Sequence, residues 1–318
     1  MGSWIPLAII ASLAWGVYVF LFKIAIGGKH HRVSLSGAFG AMSLGILFAA
    51  LAAFVATNSS ILSSSLTGAG VAMASGVVWG TGMACVALAL SKPSTTIAKL
   101  TPLYNTNTLV ATVLGILLLR ETHYQMAAVI SGAILVVLGG ILIARQRHII
   151  GSFESSLGSN LPVGQVRTRK SGPEKWIIYG IIASLTWGLY ALLMKLAVSP
   201  RYYGIDPFVA FVAMSVGILL VWPSVFVRGK RGVIRSAKTG LMIAFASGIT
   251  WAVGMLAIVS ALFKFEADVA RIVPLCNTNT LVATSLGIIL LHEARGERRT
   301  IIIGAILVVA GGSLVAIS

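Results

Sequence analysis

The chain has 318 residues, of which 57% are hydrophobic and only 10% are charged, and its formal net charge is +16. A soluble protein of this length contains about 25% charged residues, so the composition excludes a soluble enzyme. The apolar residues form ten long runs, each near the roughly 20 residues that a helix needs to cross a bilayer.

The predicted fold class is an all-α integral membrane protein with ten transmembrane helices. A polar segment, residues 145–174, separates the fifth predicted helix from the sixth and is interpreted as a cytoplasmic linker. In chain order, the ten helices are expected at residues 4–26, 33–56, 69–91, 95–119, 125–144, 175–198, 206–227, 239–263, 268–291 and 300–317.

The two halves of the chain are copies of one another. Shifting the sequence by 172 residues aligns the halves without a gap, and 16 of 23 positions are identical between residues 99–121 and 271–293. We therefore assign residues 1–144 and 175–318 to two five-helix repeats. Because five is an odd number, the second repeat must enter the membrane from the opposite face. Inverted repeats of this kind are an architecture of secondary transporters, whose substrate sites lie near the bilayer midplane.

The distribution of Lys and Arg predicts the orientation. The loops after odd-numbered spans are rich in these residues, whereas the other face has little beyond Arg120, Arg201 and Lys264. Basic loops remain in the cytoplasm, so both termini are predicted to be non-cytoplasmic. The net positive charge is attributed to this bias and to lipid contacts, and no nucleic-acid partner is expected.

Several features of the fourth and ninth spans resemble the drug/metabolite transporter superfamily, in its EamA-like ten-helix form. Each repeat has a proline in its fourth helix, a Leu-Gly pair and a closing glutamate: Pro102, Leu114-Gly115 and Glu121, then Pro274, Leu286-Gly287 and Glu293. The resemblance covers the whole chain. It implies a central cavity lined by the first, third and fourth helices of each repeat. It also implies cytoplasmic termini, in conflict with the charge distribution; we follow the charges.

A polar phrase, Asn-Thr-Asn-Thr, occurs at the centre of the fourth span and again in the ninth. Successive side chains of an α-helix are rotated by 100°, so residues three or four positions apart form a stripe on one face. We interpret the polar stripe of each helix as part of a substrate site. Its members are Thr101, Asn105, Thr108 and Thr112, with the copies Asn277, Thr280 and Thr284. The alternative is hydrogen bonding between helices, which is the preferred interpretation for Asn107 and Asn279.

Aromatic residues recur at equivalent positions within the spans. They are either cavity walls or packing residues, and the cavity interpretation makes substrate-binding candidates of Trp15, Tyr18 and Trp79 with the copies Trp187, Tyr190 and Trp251.

Charged residues near the ends of the fourth and ninth spans are candidate gates. Lys99 and Glu293 should share one side of the membrane, and Arg271 and Glu121 the other. We hypothesise two ion pairs that open alternately, because a cation at this depth is costly unless it is paired or hydrated. The alternatives are snorkelling of Lys99 to lipid phosphates and a local pair between Asp268 and Arg271.

The predicted function is a secondary transporter, a facilitator or exchanger, that moves a small polar metabolite across the cell membrane by alternating access. No acid or histidine lies near the midplane, so neither an enzyme, a metal site nor a cofactor is expected. The alternatives are a channel, a non-transporting scaffold, or a carrier of anions that uses Lys99 and Arg271. Membrane lipid is the other expected partner, and the apolar fifth and tenth spans are expected either at the periphery or at a homodimer contact.

Overall fold

A computed structural model describes residues 4–27, 33–59, 65–92, 95–121, 125–144, 175–228, 237–293 and 298–317. The predicted linker, residues 145–174, lies outside these ranges, as do most of the basic loop residues. Twelve helices occur in the described part of the chain: α1 (Trp4–Gly27), α2 (Leu35–Ala56), α3 (Leu66–Leu90), α4 (Ile97–Tyr104), α5 (Asn107–Leu119), α6 (Met126–Ala144), α7 (Lys175–Val198), α8 (Pro207–Arg228), α9 (Lys238–Lys264), α10 (Val269–Cys276), α11 (Asn279–Ile289) and α12 (Arg298–Ile317).

These helices confirm the prediction of an all-helical, multi-pass membrane protein. Within the described residues, nine segments are long and apolar enough to cross a bilayer, counting α4 with α5 and α10 with α11 as one segment each. The remaining span is α6, in which Ala127–Ile143 forms a slightly shorter apolar stretch.

The fourth and ninth spans are each interrupted at the Asn-Thr-Asn-Thr phrase. In the fourth span, the amide of Thr108 donates to the carbonyl of Asn105 and that of Leu109 donates to the carbonyl of Thr106, so the bonds reach back three residues and not four. Bonds of this type form a tight 3₁₀ turn, which advances by 120° per residue. Pro102, one turn earlier, has no N–H to donate. The two half-helices therefore present their side chains in different directions.

The two copies interlock. The first helix of each copy packs along the third span of the other, as α1 on α9 and α7 on α3. Glycines allow other pairs to approach closely: a Cβ added to Gly76 would lie 2.0 Å from the carbonyl oxygen of Met214, and one added to Gly248 would lie 2.1 Å from that of Met42. These two contacts are related by the same shift of 172 residues. The centre of the protein is consequently built from helices of both copies.

Helices α6 and α12, the fifth and tenth spans, pack against each other within one chain. A Cβ at Gly139 would lie 2.6 Å from the carbonyl oxygen of Gly304, and a Cβ at Gly132 would lie 2.5 Å from that of Gly311. The glycine-rich faces of these helices thus contact each other. Their outer faces carry exposed apolar residues such as Ile134, as expected for surfaces in contact with lipid.

Candidate functional site

A central cavity of about 280 Å³ lies where the two copies meet. Eight of its lining residues were predicted from the sequence, and the remaining two are asparagines that had been assigned to helix packing. The lining consists of Trp15, Tyr18, Trp79, Asn105, Asn107, Trp187, Tyr190, Trp251, Asn277 and Asn279. Amide, hydroxyl and aromatic groups therefore surround the cavity, without a charged side chain among them.

The asparagines are hydrogen-bonded across the copies. The amide nitrogen of Asn105 donates to the side-chain oxygens of Asn279 and Thr280, the latter at 2.6 Å. The equivalent nitrogen of Asn277 makes the corresponding bonds to Asn107 and Thr108. Exchanging the two copies converts one set of bonds into the other.

Asn107 and Asn279, which were assigned to hydrogen bonding between helices, make such bonds and also line the cavity. A continuous α-helix would place them on the far side from Asn105 and Asn277, but the 3₁₀ turn between each pair rotates the second half-helix. All four asparagines consequently face the cavity.

The threonines of the predicted stripe lie outside the cavity lining. Thr108 and Thr280 stand behind the asparagines as hydrogen-bond acceptors. Thr112 and Thr284 lie one turn farther along, with buried hydroxyls that make no hydrogen bond within the described part of the chain. Thr284 instead borders a groove of about 420 Å³ between α11 and α12. The same rotation of the half-helix explains why the stripe does not continue into the site.

Four tryptophans form the aromatic walls. Trp79 and Trp187 are stacked with ring centroids 5.8 Å apart, and Trp15 and Trp251 are stacked at 6.3 Å. The indole of Trp15 donates to the carbonyl of Trp251 at 3.2 Å, and that of Trp187 donates to the carbonyl of Trp79 at 3.1 Å. These bonds fix two of the four rings across the copies.

A second cavity, of about 390 Å³, continues from the centre towards the end of α7, the end of α9 and the start of α10. We call it the vestibule. It shares Trp15, Asn107, Tyr190 and Asn277 with the central cavity, and Cys276 also lines it. The vestibule therefore extends the central site towards one face of the protein.

On the opposite face, Tyr104 occupies the position equivalent to Cys276 and fills the space there. Its ring, 1% exposed, meets the edge of Trp187 with centroids 4.7 Å apart, and its hydroxyl donates to Thr101 at 3.0 Å. The residue equivalent to Tyr104 in the second copy is the much smaller Cys276. This difference in side-chain volume accounts for the closed end on one face and the vestibule on the other.

The closing glutamates bind the start of the other copy's half-helix. Both carboxylate oxygens of Glu121 accept backbone N–H groups of α10, from Val269 at 2.9 Å and from Ala270 at 3.1 Å. The carboxylate of Glu293 accepts from Ala98 of α4 at 3.1 Å. Carboxylates at this position satisfy free N–H groups and complement the helix dipole. We refer to these two contacts as the glutamate caps.

Burial raises the pKa of Glu121 and of Glu293, while the backbone N–H donors act in the opposite direction. The Leu-Gly pairs explain how the carboxylates fit: a Cβ on Gly115 would lie 2.5 Å from an oxygen of Glu121, and one on Gly287 would lie 2.7 Å from an oxygen of Glu293. The glycine and the glutamate of each motif therefore serve the same contact.

The structure gives the glutamates partners other than the expected Lys99 and Arg271. The cation whose charge acts on Glu293 is Lys23, and the one that acts on Glu121 is Lys195. The guanidinium of Arg271 donates to the carbonyl of Ala316 at 3.1 Å. Lys99 and Arg271 each follow directly after the residues whose N–H groups the carboxylates bind.

Lys23 and Lys195 were not predicted, although they occupy equivalent positions within the first span of each copy. Lys23 donates to the carbonyls of Leu90 and Thr95, which flank the loop before α4. Lys195 donates to the carbonyls of Glu266 and Ala267 before α10, both at 2.8 Å. A cation repeated inside an apolar span was the signal that could have identified them.

Comparison with known proteins gives a consistent result. The family model described as "Sugar transport protein" matches residues 157–318. A "Putative sugar uptake protein" of Lactiplantibacillus plantarum is 24% identical over 97% of this chain and 96% of its own. A protein of Listeria monocytogenes with the same description is 24% identical over 99% of both chains.

A solved crystal structure covers 99% of this chain with a TM-score of 0.65 and 14% sequence identity, and so shares its fold. Because the family model matches more than half of the chain, this protein belongs to the sugar transport protein family.

Proposed function

We propose that this protein is a carrier that moves a small, neutral sugar across the cell membrane by alternating access. The central cavity carries the proposal, because amides, hydroxyls and tryptophans surround it and none of the described residues that line it is charged. Aromatic faces pack against the apolar faces of sugar rings, and amides hydrogen-bond to their hydroxyl groups.

The lining favours a neutral solute over the anion considered from the sequence. An anion at this depth requires a cationic partner. Neither Lys99 nor Arg271 lines the cavity or the vestibule. The relatives named above, which are described as sugar uptake proteins, support the same choice.

Two inverted five-helix repeats are part of the proposal. The glutamate caps support this arrangement, since Glu121 at the end of the fourth span contacts Ala270 at the start of the ninth. Glu293 at the end of the ninth span contacts Ala98 at the start of the fourth. Contacts at both ends require the two spans to run antiparallel. A broader kinship with EamA-like transporters is proposed on the same motifs.

The difference between the two faces supports alternating access. In the structure, Tyr104 fills one face and the vestibule extends to the other. The basic loops place the linker in the cytoplasm. Since α7 begins at the linker and ends at the vestibule, we propose that the vestibule faces the exterior and that both termini are also exterior.

The function is tested by counterflow in proteoliposomes. Vesicles preloaded with one of a panel of unlabelled monosaccharides receive the same labelled sugar outside. A carrier gives transient, saturable accumulation for at least one sugar, and Asn105→Leu and Asn277→Leu abolish it without loss of folded protein. Unsaturable flux would indicate a channel, and no flux with any sugar would indicate a scaffold. Accumulation of an anion instead would replace the neutral substrate with a charged one.

A further inference from the structure

We infer that Asn107 and Asn279 bind the substrate's hydroxyl oxygens directly, whereas Asn105 and Asn277 hold them in position. This inference rests on the proposed carrier function and specifies the chemistry of its site. It differs from the expectation based on helical periodicity, which selected Asn105 and Asn277.

Asn105 and Asn277, the positioning pair, have no side-chain N–H available for a ligand. An asparagine amide has two hydrogens. In Asn105 both are directed to side-chain acceptors, those of Asn279 and Thr280. In Asn277 they are directed to Asn107 and Thr108. The donors of these two residues therefore serve the protein.

The other pair has the opposite arrangement. Asn107 and Asn279 accept these bonds through their side-chain oxygens, so that each amide nitrogen faces away from the bond. Neither nitrogen has a hydrogen-bond partner among the residues that the structure describes. The two side chains are only 5% and 4% exposed, and both line the central cavity. Neither nitrogen is fully enclosed by protein atoms, so a ligand oxygen in the cavity can accept a hydrogen bond from each of them.

The indole N–H groups point to the same chemistry. Trp15 and Trp187 donate to backbone carbonyls, whereas the indole nitrogens of Trp79 and Trp251 lack partners in the described ranges. Trp79 and Trp251 are themselves in contact, with ring centroids 4.2 Å apart. The residues that line the cavity thus include two amides and two indoles, at equivalent positions of the two copies, whose nitrogens have no hydrogen-bond partner in the described part of the chain.

A site rich in donors selects a ligand rich in acceptors. A sugar hydroxyl oxygen accepts hydrogen bonds from two directions, and one sugar can use oxygens at opposite ends of its ring. We therefore assign the substrate oxygens as acceptors towards Asn107 and Asn279. A sugar in which fluorine replaces one of these hydroxyls keeps a weak acceptor, and it should bind better than the sugar in which hydrogen replaces it.

Isosteric aspartate variants separate the two roles. Asn107→Asp keeps an oxygen to accept the bond from Asn277 but loses the free N–H₂ group. Asn105→Asp loses the donors and places an oxygen opposite the oxygens of Asn279 and Thr280. Both positions are buried at the same cavity, 5% and 1% exposed, so the general cost of placing an acid there cancels in the comparison. Asn279→Asp and Asn277→Asp form an independent second pair.

The experiment measures thermal stability without sugar and sugar affinity by tryptophan fluorescence, using the sugar most active in counterflow. Asn107→Asp and Asn279→Asp should bind sugar at least tenfold more weakly than the wild type. Asn105→Asp and Asn277→Asp should melt at least roughly 5 °C lower than Asn107→Asp and Asn279→Asp. The inference is overturned if all four variants melt alike, or if Asn107→Asp binds with wild-type affinity. The melting comparison needs no ligand, so it remains decisive even if no sugar is transported and the proposed function fails.

Discussion

The glutamate caps lead to a prediction that separates a fixed joint from a moving gate. Glu121→Ala removes both acceptors of the Val269 and Ala270 N–H groups. Leaving a buried N–H without a partner costs about 1–3 kcal/mol, so the two together should cost roughly 2–6 kcal/mol. For a chain of this size that corresponds to a fall in melting temperature of roughly 3–9 °C. Glu121→Gln keeps one acceptor oxygen and should lose about half as much.

The open and closed populations should nevertheless stay the same. Both caps are formed together in a structure that has its vestibule on one face only. Exchanging the roles of the two copies converts each cap into the other, so both should persist in the opposite state. The assay is the rate at which a small thiol reagent modifies Cys276 in the vestibule, measured in a Cys85→Ser background. Glu121→Ala and Glu293→Ala should leave this rate unchanged below their melting temperatures. Opposite changes in the two variants would refute the reasoning and restore the hypothesis of alternating gates.

Three further outcomes are expected. The first uses variants that lack the native cysteines: Thr57→Cys should react with an impermeant maleimide added outside intact cells, and Ser91→Cys should not react. The reverse pattern would place the termini in the cytoplasm. Tyr104→Ala should open the face that this ring fills, favour the state that is open on that face, and so slow the modification of Cys276, whereas Tyr104→Phe should change the rate little. Equal rates in the two variants would show that the ring does not close that face. Gly115→Ala should lower the melting temperature by a similar amount to Glu121→Ala, and the double variant should be little worse than either single one, since both changes remove one contact.

The spans were predictable because their signal is composition and length, which do not depend on the packing of the chain. The repeat was equally predictable, since it is found by comparing the two halves of the amino-acid sequence. Periodicity failed at the Asn-Thr-Asn-Thr phrase. It assumes one rotation per residue throughout, and the 3₁₀ turn after Asn105 brings Asn107 to the cavity.

The caps show a second limit. The sequence placed Glu121 near the start of the ninth span, which agrees with its contact to Ala270. It suggested a charged partner because side chains are visible in a sequence and free backbone N–H groups are not. Lys195 was missed for a related reason, since its partners are the carbonyls of Glu266 and Ala267. Interactions with backbone groups can be predicted only once the positions at which the helices begin and end are known.

The crossed bonds of the four asparagines bear on how a carrier returns without cargo. The amide nitrogens of Asn105 and Asn277 donate to the amide oxygens of Asn279 and Asn107, and exchanging the copies converts one bond into the other. The unloaded protein therefore does not have to break these bonds in order to reorient. A transporter whose empty return is slow works as an obligatory exchanger, whereas one whose empty return is fast supports net uniport down a concentration gradient. For the proposed carrier we therefore expect net uniport, with little acceleration of flux by sugar on the far side.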